Sequence, residues 1–586
     1  MWGHLPGPLH PQHPAQARVR PVHARMKTPR VPETLRERLE HHGRSQGHQW
    51  ALRFPTQGGE TLELTWAELV ERARGVGLGL KRRGVAPKDV VVIVSSSPRE
   101  QALGFLGALF AEAIPSIYSH PSIKQPTERF FASFSPLISA SGAACLLYSD
   151  ALAPAFQGWK AASGSGIALL PLRELLEEPA GDEPLPASDG KVAFLQFSSG
   201  TTGLRKGVAI THAMLASQVQ AYAEALHLLS STDRVVSWLP LYHDMGLVAC
   251  LLLPCFMGVP SVHLSPFEWV QRPQWLWRQI VDSAGTLVWL PNFAFELLAQ
   301  RTRAEDLGAM EFGQVRAFIN CSEPVRPGTL ARFVERMGPH GVRWDQLQGC
   351  YAMAENTFAV TQTPMGSPLR LDRVRRAPLL TQGDAVALEA GPPSAEDKVF
   401  ASSGVPIAGC EVRISHRGER RIGEIEIRSP SLFEGYVAHP EATAVSRTED
   451  GWFRTGDLGY LAEGELFVTG RLKDLIIHRG TNLYPEDIEE VVASIPGCRA
   501  GRVVAFGITS EQMGTEEVVV CVEPEPDVED PRALAVRIRQ EVALRLSLGL
   551  KDVALCESGS LLKSTSGKPS RSGNREAYAS GRLGGR

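Results

Sequence analysis

The stretch that decides the fold reads Phe197-Ser-Ser-Gly-Thr-Thr-Gly-Leu-Arg-Lys-Gly-Val-Ala-Ile-Thr-His212, directly after the apolar run Val192–Phe197. Glycines let a loop bend sharply and expose its N–H groups, and hydroxyls with Lys206 complete a set suited to holding a polyphosphate. The spacing is not that of the common Gly-x4-Gly-Lys-Ser/Thr phosphate loop. We therefore predict a nucleoside triphosphate site of another kind, with a solvated Gly/Ser/Thr connector as the alternative.

Length and composition bound the possible classes of protein. A chain of 586 residues is too long for one compact core, so two or more domains are expected. Hydrophobic content of 43% and charged content of 21% are ordinary for a globular protein, and a net charge of −3 gives no reason to expect a nucleic-acid partner. The longest apolar stretch, Ala102–Ile117, contains Glu112 and is too short to span a membrane.

The cysteines and the first residues of the chain bear on the compartment in which the protein is expected. The nine cysteines form no Cys-x-x-Cys pair, which favours free thiols and a cytoplasmic protein. Residues 1–25 are rich in Pro, His and Arg and lack the apolar core of a secretory signal. We expect them to form a disordered extension, with Met26 as an alternative start to Met1.

Hydrophobic periodicity predicts an α/β fold. Helix-like stretches such as Thr65–Arg82 alternate with β-rich runs such as Val90–Ser95, which is typical of layered folds with largely parallel strands. Gly75, Gly77 and Gly79 superficially resemble a dinucleotide motif, but they lie inside a helical stretch and are interpreted as packing positions.

Composition changes indicate where the chain divides. Residues 362–403 are rich in Pro, Gly, Asp and Ala and are interpreted as an insertion or long loop. Short strands are predicted from Gly404 to Gly470, and a βαβ-type pattern runs from Asp474 to about Leu562. We therefore predict a large domain over 26–470 with layered α/β and β-rich parts, a joint at 471–473, and a small α+β domain over 474–586 with a basic tail.

Five further segments carry reactive or binding side chains. They are Trp238-Leu-Pro-Leu-Tyr-His-Asp-Met-Gly-Leu247, Asn320-Cys-Ser-Glu-Pro-Val-Arg326, Tyr351-Ala-Met-Ala-Glu-Asn-Thr357, Gly451-Trp-Phe-Arg-Thr-Gly-Asp457 with Gly470-Arg-Leu-Lys-Asp-Leu-Ile476, and Ser566-Gly-Lys568. Together with the first loop, their order and spacing resemble the adenylate-forming superfamily over roughly Thr34 to Arg575. The Tyr-His-Asp-Met-Gly-Leu, Glu-Pro-Val-Arg and Ala-Glu-Asn-Thr segments resemble most closely its fatty acyl-AMP ligase branch.

The resemblance implies an ATP-dependent ligase in which a carboxylate attacks the α-phosphate of ATP, pyrophosphate leaves, and a thiol captures the acyl-adenylate. Two anions must meet, so a cation is needed between them. By resemblance Lys568 supplies this charge, Glu355 binds Mg2+ together with Thr201, and His243 gates the carboxylate site. Lys473 falls at the hinge position of the family, where backbone rotation would swing the small domain.

The resemblance also assigns a nucleotide site. Tyr351 would stack on adenine, Asp457 would accept the ribose hydroxyls, and Arg471 would reach the ribose or the phosphates. The full set of expected ATP contacts is Ser198, Ser199, Gly200, Thr201, Thr202, Gly203, Lys206, Asn320, Cys321, Ser322, Glu323, Tyr351, Ala352, Met353, Ala354, Asp457 and Arg471. Ala352 stands where many relatives have glycine, which adds a methyl group near the base.

Residue types alone leave simpler interpretations open. Lys568 and Lys473 could be exposed surface lysines, and Glu355 a solvated residue at a helix start. Asp457 could be a turn residue, and Tyr351 and His243 could be core side chains.

The expected substrate is a fatty acid. No side chain stands out as a binder of an amino group, whereas Ala249–Met257 and Thr286–Leu298 are strongly apolar. Each buried methylene contributes about 0.8 kcal/mol, so an apolar tunnel would bind an acyl chain well. The candidate lining residues are Trp289, Phe293 and Phe295, each of which could equally be an ordinary core residue.

The acceptor is predicted from the insertion. Fatty acyl-AMP ligases carry an extra segment thought to restrain the hinge and disfavour free CoA, and residues 362–403 are the candidate. This favours the phosphopantetheine thiol of an acyl carrier protein, and because no carrier domain follows Arg575 we expect a separate chain. Lys563, Lys568, Arg571, Arg575 and Arg582 could attract an acidic carrier, or form a solvated tail. A medium- or long-chain acyl-CoA synthetase and an inactive nucleotide-binding regulator are the alternatives.

Overall fold

The computed structural model describes residues 34–121, 127–186, 190–197, 206–388, 394, 397–415, 418–479, 481–510, 515–563 and 569–583. The predicted extension at 1–25 lies outside these ranges. None of the helices among the described residues has the length and apolar character needed to cross a membrane.

Eighteen α-helices occur in the described ranges. They are α1 (Leu35–Ser45), α2 (Trp66–Arg82), α3 (Pro98–Phe110), α4 (Thr127–Ser141), α5 (Ala153–Ser163), α6 (Leu172–Leu176), α7 (His212–Ala225), α8 (Leu253–Met257), α9 (Pro266–Gln271), α10 (Trp275–Asp282), α11 (Asn292–Arg301), α12 (Ala304–Leu307), α13 (Pro327–Met337), α14 (Arg376–Gln382), α15 (Pro440–Val445), α16 (Pro485–Ala493), α17 (Pro531–Leu546) and α18 (Arg571–Ala579). A π-helix, Met245–Leu252, immediately precedes α8.

The described strands number twenty-six. They are β1 (Trp50–Pro55), β2 (Thr61–Thr65), β3 (Val90–Val94), β4 (Ile114–Tyr118), β5 (Ala143–Tyr148), β6 (Ala168–Pro171), β7 (Val192–Phe197), β8 (Gly207–Thr211), β9 (Val235–Ser237), β10 (Ser261–His263), β11 (Leu287–Leu290), β12 (Ala317–Asn320), β13 (Leu347–Ala352), β14 (Ala359–Gln362), β15 (Leu371–Arg375), β16 (Asp397–Ala401), β17 (Val405–Pro406), β18 (Glu411–Ile414), β19 (Gly423–Arg428), β20 (Phe453–Ala462), β21 (Glu465–Arg471), β22 (Ile476–His478), β23 (Thr481–Leu483), β24 (Cys498–Ser510), β25 (Thr515–Pro524) and β26 (Asp552–Leu555).

The largest sheet has nine strands in the order β17-β14-β13-β12-β11-β9-β10-β1-β2. Its central pairs are parallel, and antiparallel pairs occur only toward its two edges. A second, four-stranded sheet, β4-β3-β5-β6, is parallel throughout. These sheets with their covering helices confirm the predicted α/β class, because parallel strands require crossover connections.

Helix α2 confirms that the three spaced glycines are packing positions. Thr65 caps its first turn by accepting from the Glu68 N–H. A Cβ added at Gly75 would lie 2.3 Å from the Glu178 carbonyl oxygen, and one at Gly77 would lie 3.0 Å from Phe110 Cβ. The glycines therefore let neighbouring backbone approach the helix closely.

Residues 362–403 contain regular structure, so the expectation of a long irregular loop is wrong for most of this segment. Strands β15 and β16 pair antiparallel, and α14 follows β15. Buried Asp372 accepts hydrogen bonds from Tyr460 of β20 at 2.7 Å and from Arg420 at 3.0 and 3.1 Å. The Pro- and Gly-rich composition gives no sign of these strands and this helix. The folded insert is anchored to the β-rich part through the Asp372 carboxylate.

A separate hydrophobic cluster forms after Lys473. It includes Ile476, Ile488, Val520 and Ile538. Strands β24 and β25 are antiparallel, and β25 continues through α17 to the parallel strand β26, which matches the predicted βαβ-type pattern. The domain boundaries themselves stay a prediction.

We predict that Gly75→Ala destabilises the protein by about 1–3 kcal/mol, because the new methyl group collides with a backbone carbonyl that cannot easily move. Gly158→Ala in α5 is the matched control, since a Cβ at Gly158 meets nothing within 4 Å. Because its new methyl group causes no clash, Gly158→Ala should leave stability unchanged or raise it by up to about 1 kcal/mol. Denaturant unfolding measures both, and equal effects would contradict the packing role of Gly75.

Candidate nucleotide and acyl site

Two residues predicted to bind the nucleotide, Tyr351 and Arg471, contact the carboxylate of a third, Asp457. The Tyr351 hydroxyl donates to Asp457 Oδ2 at 2.8 Å, and Arg471 Nε lies 3.0 Å from Asp457 Oδ1. Burial, together with the nearby carboxylate, raises the pKa of Tyr351, so its proton stays on the phenol and is donated. Asp457 is only 9% exposed. Each carboxylate oxygen retains a further lone pair that could accept a ribose hydroxyl.

Strand register explains how Asp457 and Arg471 meet. Asp457 lies within β20, not in a turn, and stands directly opposite Arg471, the last residue of β21. Tyr351 comes from β13 of the nine-stranded sheet. The cluster therefore joins two sheets immediately before the turn Leu472–Asp474, which contains Lys473.

A second cluster brings Lys206 near Glu355. The Tyr436 hydroxyl donates to Glu355 Oε1 at 2.8 Å, and Lys206 Nζ lies 4.6 Å from the centre of the Tyr436 ring. Burial, and then the Glu355 carboxylate, raises the pKa of Tyr436, which keeps it a hydrogen-bond donor. The Val437 N–H also donates to the Gly207 carbonyl at 2.8 Å. This places a cation and a carboxylate together beside the end of the candidate phosphate loop.

The segment after β12 is held in place by α11. Asn320 Nδ2 donates to Asn292 Oδ1 at 3.2 Å, and Glu323 Oε2 accepts from the Phe293 N–H at 2.9 Å. Asn320 Oδ1 is buried and has no partner among the described residues. Ser322 has a φ of 70°, which is unusual for a residue with a side chain. A buried acceptor next to strained backbone is typical of a binding site.

The remaining described residues of the predicted site lie at or after the ends of β12 and β13, or just before the π-helix. Ala352 ends β13, the Met353 N–H donates to the Phe358 carbonyl at 2.9 Å, and Ala354 begins a short 3₁₀ turn that carries Glu355. Cys321 is fully buried between Asn320 and Ser322. His243 precedes the π-helix, and its carbonyl accepts from the Leu247 N–H at 2.8 Å. π-Helical turns occur frequently at functional sites.

The three candidate acyl-lining residues have different environments. Trp289 is fully buried, and its Nε1 donates to the Tyr222 hydroxyl at 2.9 Å. Phe295 is also fully buried and packs edge-on against Phe333. Phe293 is partly buried near the stacked rings of Trp238 and Trp269, whose centroids are 3.6 Å apart.

Several predicted residues lie outside the described ranges. These are Ser198, Ser199, Gly200, Thr201, Thr202, Gly203 and Lys568. The flanks of the Lys568 segment are described: Lys563 forms a bridge with Pro569, and the Ser570 N–H donates to the Leu562 carbonyl at 2.9 Å. The residues on the two sides of 564–568 are therefore neighbours.

Two residues of these clusters were missed by sequence reasoning. Tyr436 ends a Phe-Glu-Gly-Tyr run, and an aromatic residue after glycine in a strand-rich region was the available signal. Asn292 follows Pro291 at a helix start, where a polar residue reads as ordinary capping. Their roles depend on contacts over 81 and 28 positions, which local patterns do not reveal.

Comparison with known proteins gives consistent matches along most of the chain. A family profile described as AMP-binding enzyme matches residues 39–437. A putative acyl-CoA synthetase of Caulobacter vibrioides is 33% identical over 540 residues, covering 90% of this chain and 92% of the relative. The long-chain-fatty-acid–AMP ligase FadD26 of Mycobacterium marinum is 32% identical over 551 residues, covering 88% and 91%.

A solved structure is also similar over nearly the whole chain. It comes from structural and functional studies of fatty acyl-adenylate ligases from E. coli and L. pneumophila, with a TM-score of 0.85 and 27% identity. The match covers 93% of this chain and 98% of that structure.

We predict that Tyr351→Phe raises the KM for ATP about tenfold, because Asp457 loses the donor that orients it. Tyr460→Phe is the matched control, since it removes the same kind of hydrogen bond from a buried, arginine-paired aspartate, Asp372, in the insert. Both variants should lose about 1.5–3 kcal/mol of stability. Steady-state kinetics with ATP and thermal unfolding measure the two effects, and an unchanged KM in Tyr351→Phe would contradict the nucleotide role.

Proposed function

The chain belongs to the AMP-binding enzyme family, and from this premise we propose that it activates a fatty acid with ATP and passes the acyl group to an acyl carrier protein. A carboxylate oxygen of the fatty acid would attack the α-phosphorus of ATP. The bond from that phosphorus to the pyrophosphate oxygen breaks, and pyrophosphate leaves. The acyl-adenylate then reacts with a phosphopantetheine thiol, which forms a thioester and releases AMP.

The observation that carries this proposal is the Asp457 cluster beside the Lys206–Tyr436–Glu355 cluster. The first offers a carboxylate for ribose hydroxyls and an aromatic residue near the base. The second offers a cation for phosphate and a carboxylate for a metal ion. Mg2+ is commonly held by one or two carboxylates with phosphates and water, which fits Glu355 with Thr201 as its proposed partner.

The relatives support a fatty acid as the substrate. The Mycobacterium marinum relative is named a long-chain-fatty-acid–AMP ligase, and one similar solved structure is a fatty acyl-adenylate ligase of L. pneumophila in complex with acyl adenylate and pyrophosphate. The latter has a TM-score of 0.71 and 26% identity. The apolar π-helix Met245–Leu252 and Phe293 would contact the acyl chain.

Lys568 is proposed to neutralise the two reacting anions. The helix that follows it, α18, begins at Arg571, whose guanidinium lies 2.9 Å from Asp474, 2.8 Å from Glu486 and 2.8 Å from Glu489. Arg571 is thus ion-paired within the chain, which separates it from the other basic residues that could attract a carrier or form a solvated tail. The same contacts anchor the start of α18 to Asp474 and to α16.

Replacing Lys568 by alanine should lower pyrophosphate release at least about 100-fold, the cost of removing a charge that stabilises the transition state. Arg575→Ala, an exposed position on α18, is the control and should stay within about twofold. Pyrophosphate release with dodecanoate and ATP is measured, with EDTA added to test the Mg2+ requirement. Wild-type turnover in Lys568→Ala, or in EDTA, would refute the corresponding assignment.

The insert supports a carrier protein over free CoA as the acceptor. Lys398 of β16 forms an ion pair with Asp487 of α16, and their side chains are 15% and 13% exposed. Burial of Arg376, at the start of α14, lowers its pKa, while Glu490 of α16 favours its charged form. The insert is therefore held to the first helix after the proposed hinge. Such a restraint would disfavour the rotation that presents the adenylate to free CoA.

We predict that Lys398→Met raises the rate of acyl-CoA formation about tenfold, the effect of losing ~1.4 kcal/mol of restraint. Asp487→Asn should act in the same direction, and the double variant should add little because both remove one contact. Lys551→Met, which removes an ion pair with Glu517 inside the small unit, is the control. Rapid acyl-CoA formation by the wild type would instead favour an acyl-CoA synthetase.

A further inference from the structure

A row of buried polar side chains crosses the sheet face beneath α7. The Tyr222 hydroxyl accepts from Trp289 Nε1 at 2.9 Å and donates to Gln362 Oε1 at 3.1 Å. Gln362 Nε2 in turn lies 3.4 Å from Gln348 Oε1. All four residues are 2% exposed or less. The strand pairings place Trp289, Gln348 and Gln362 on one face, because alternate residues of paired strands share a side.

This face continues from the proposed carboxylate and nucleotide site. The Tyr222 hydroxyl lies 3.8 Å from Cys350 Sγ, and Cys350 is followed directly by Tyr351 of the candidate nucleotide site. Ser322 Oγ lies 3.8 Å from Met245 Sδ at the start of the π-helix. An acyl chain that leaves the carboxylate site along this face would therefore pass Tyr222 and Trp289.

Gln218 adds an unexplained polar group to this face. It lies one helical turn before Tyr222 on α7, so the two side chains project from the same side of the helix. Gln218 is 0% exposed, and neither Oε1 nor Nε2 has a hydrogen-bond partner in the part of the chain that the structure describes. Other buried glutamines are bonded: Gln101 Nε2, for example, donates to the Ser95 carbonyl at 2.6 Å.

The chemistry of an amide identifies the missing partner. A buried amide that is left unpaired is costly, so a group that pairs it, an ordered water or a ligand, is favoured at this position. A hydroxyl group can accept from Nε2 and donate to Oε1, whereas a ketone could serve only Nε2 and a methylene neither. We propose that Gln218 binds a hydroxyl group carried on the acyl chain, so that the enzyme prefers hydroxylated fatty acids. This inference rests on the proposed fatty acid activation.

The test compares dodecanoate with a series of monohydroxydodecanoates that carry the hydroxyl at successive carbons. Pyrophosphate release gives kcat/KM for each acid with the wild type, Gln218→Leu and the control Gln101→Leu. At least one hydroxy acid should exceed dodecanoate about tenfold or more in the wild type. Gln218→Leu should bring that ratio close to one by losing activity on the hydroxy acid and gaining it on dodecanoate. Gln101→Leu should keep the wild-type ratio.

Thermal unfolding shows whether each variant is folded, and Gln218→Met provides a second, similarly shaped replacement. Loss of preference in both Gln218 variants with intact folding would support the proposal. A wild type that activates dodecanoate as well as every hydroxy isomer would overturn it, as would an unchanged ratio in Gln218→Leu, and fatty acid activation would then still stand. Absence of pyrophosphate release with every acid would overturn both proposals together.

Discussion

The arrangement of the site depends on one buried carboxylate, Asp457, held between the phenol of Tyr351 and the guanidinium of Arg471. A largely buried aspartate needs both a counter-charge and hydrogen bonds, and here they come from two different sheets. The nine-stranded sheet contributes Tyr351, and the β20–β21 pair contributes the other two residues. Because the three groups satisfy one another, the end of β21 is fixed relative to the large sheet. The proposed hinge thus begins from a defined position.

A second tyrosine–aspartate–arginine cluster lies only a few residues further along β20. Tyr460 and Arg420 surround Asp372 and fasten the insert to the β-rich part. The insert then reaches α16 through Lys398 and Asp487. Strand β20 therefore contributes both to the proposed nucleotide site, through Asp457, and to the attachment of the insert, through Tyr460.

Features governed by local pattern could be predicted from the sequence. The cap at Thr65, helix α2 and its packing glycines follow from spacing alone, as does the alternation that defines the α/β class. The motif resemblance also predicts that Tyr351, Asp457 and Arg471 belong to one site, and the structure brings them into contact. The partners Tyr436 and Asn292 could not be predicted, because they are set by strand register and by contacts between distant segments. Composition gave the wrong expectation of a long loop for residues 362–403, where β15 and β16 pair antiparallel across a connection that contains α14.

The three carboxylates around Arg571 have a mechanical consequence for the small unit. They come from Asp474, immediately after Lys473, and from Glu486 and Glu489 of α16. The start of α18 is thereby tied both to α16 and to the residue that follows the proposed hinge. Rotation at the proposed hinge, Lys473, would then carry α16 and α18 together, because these ion pairs join the two helices.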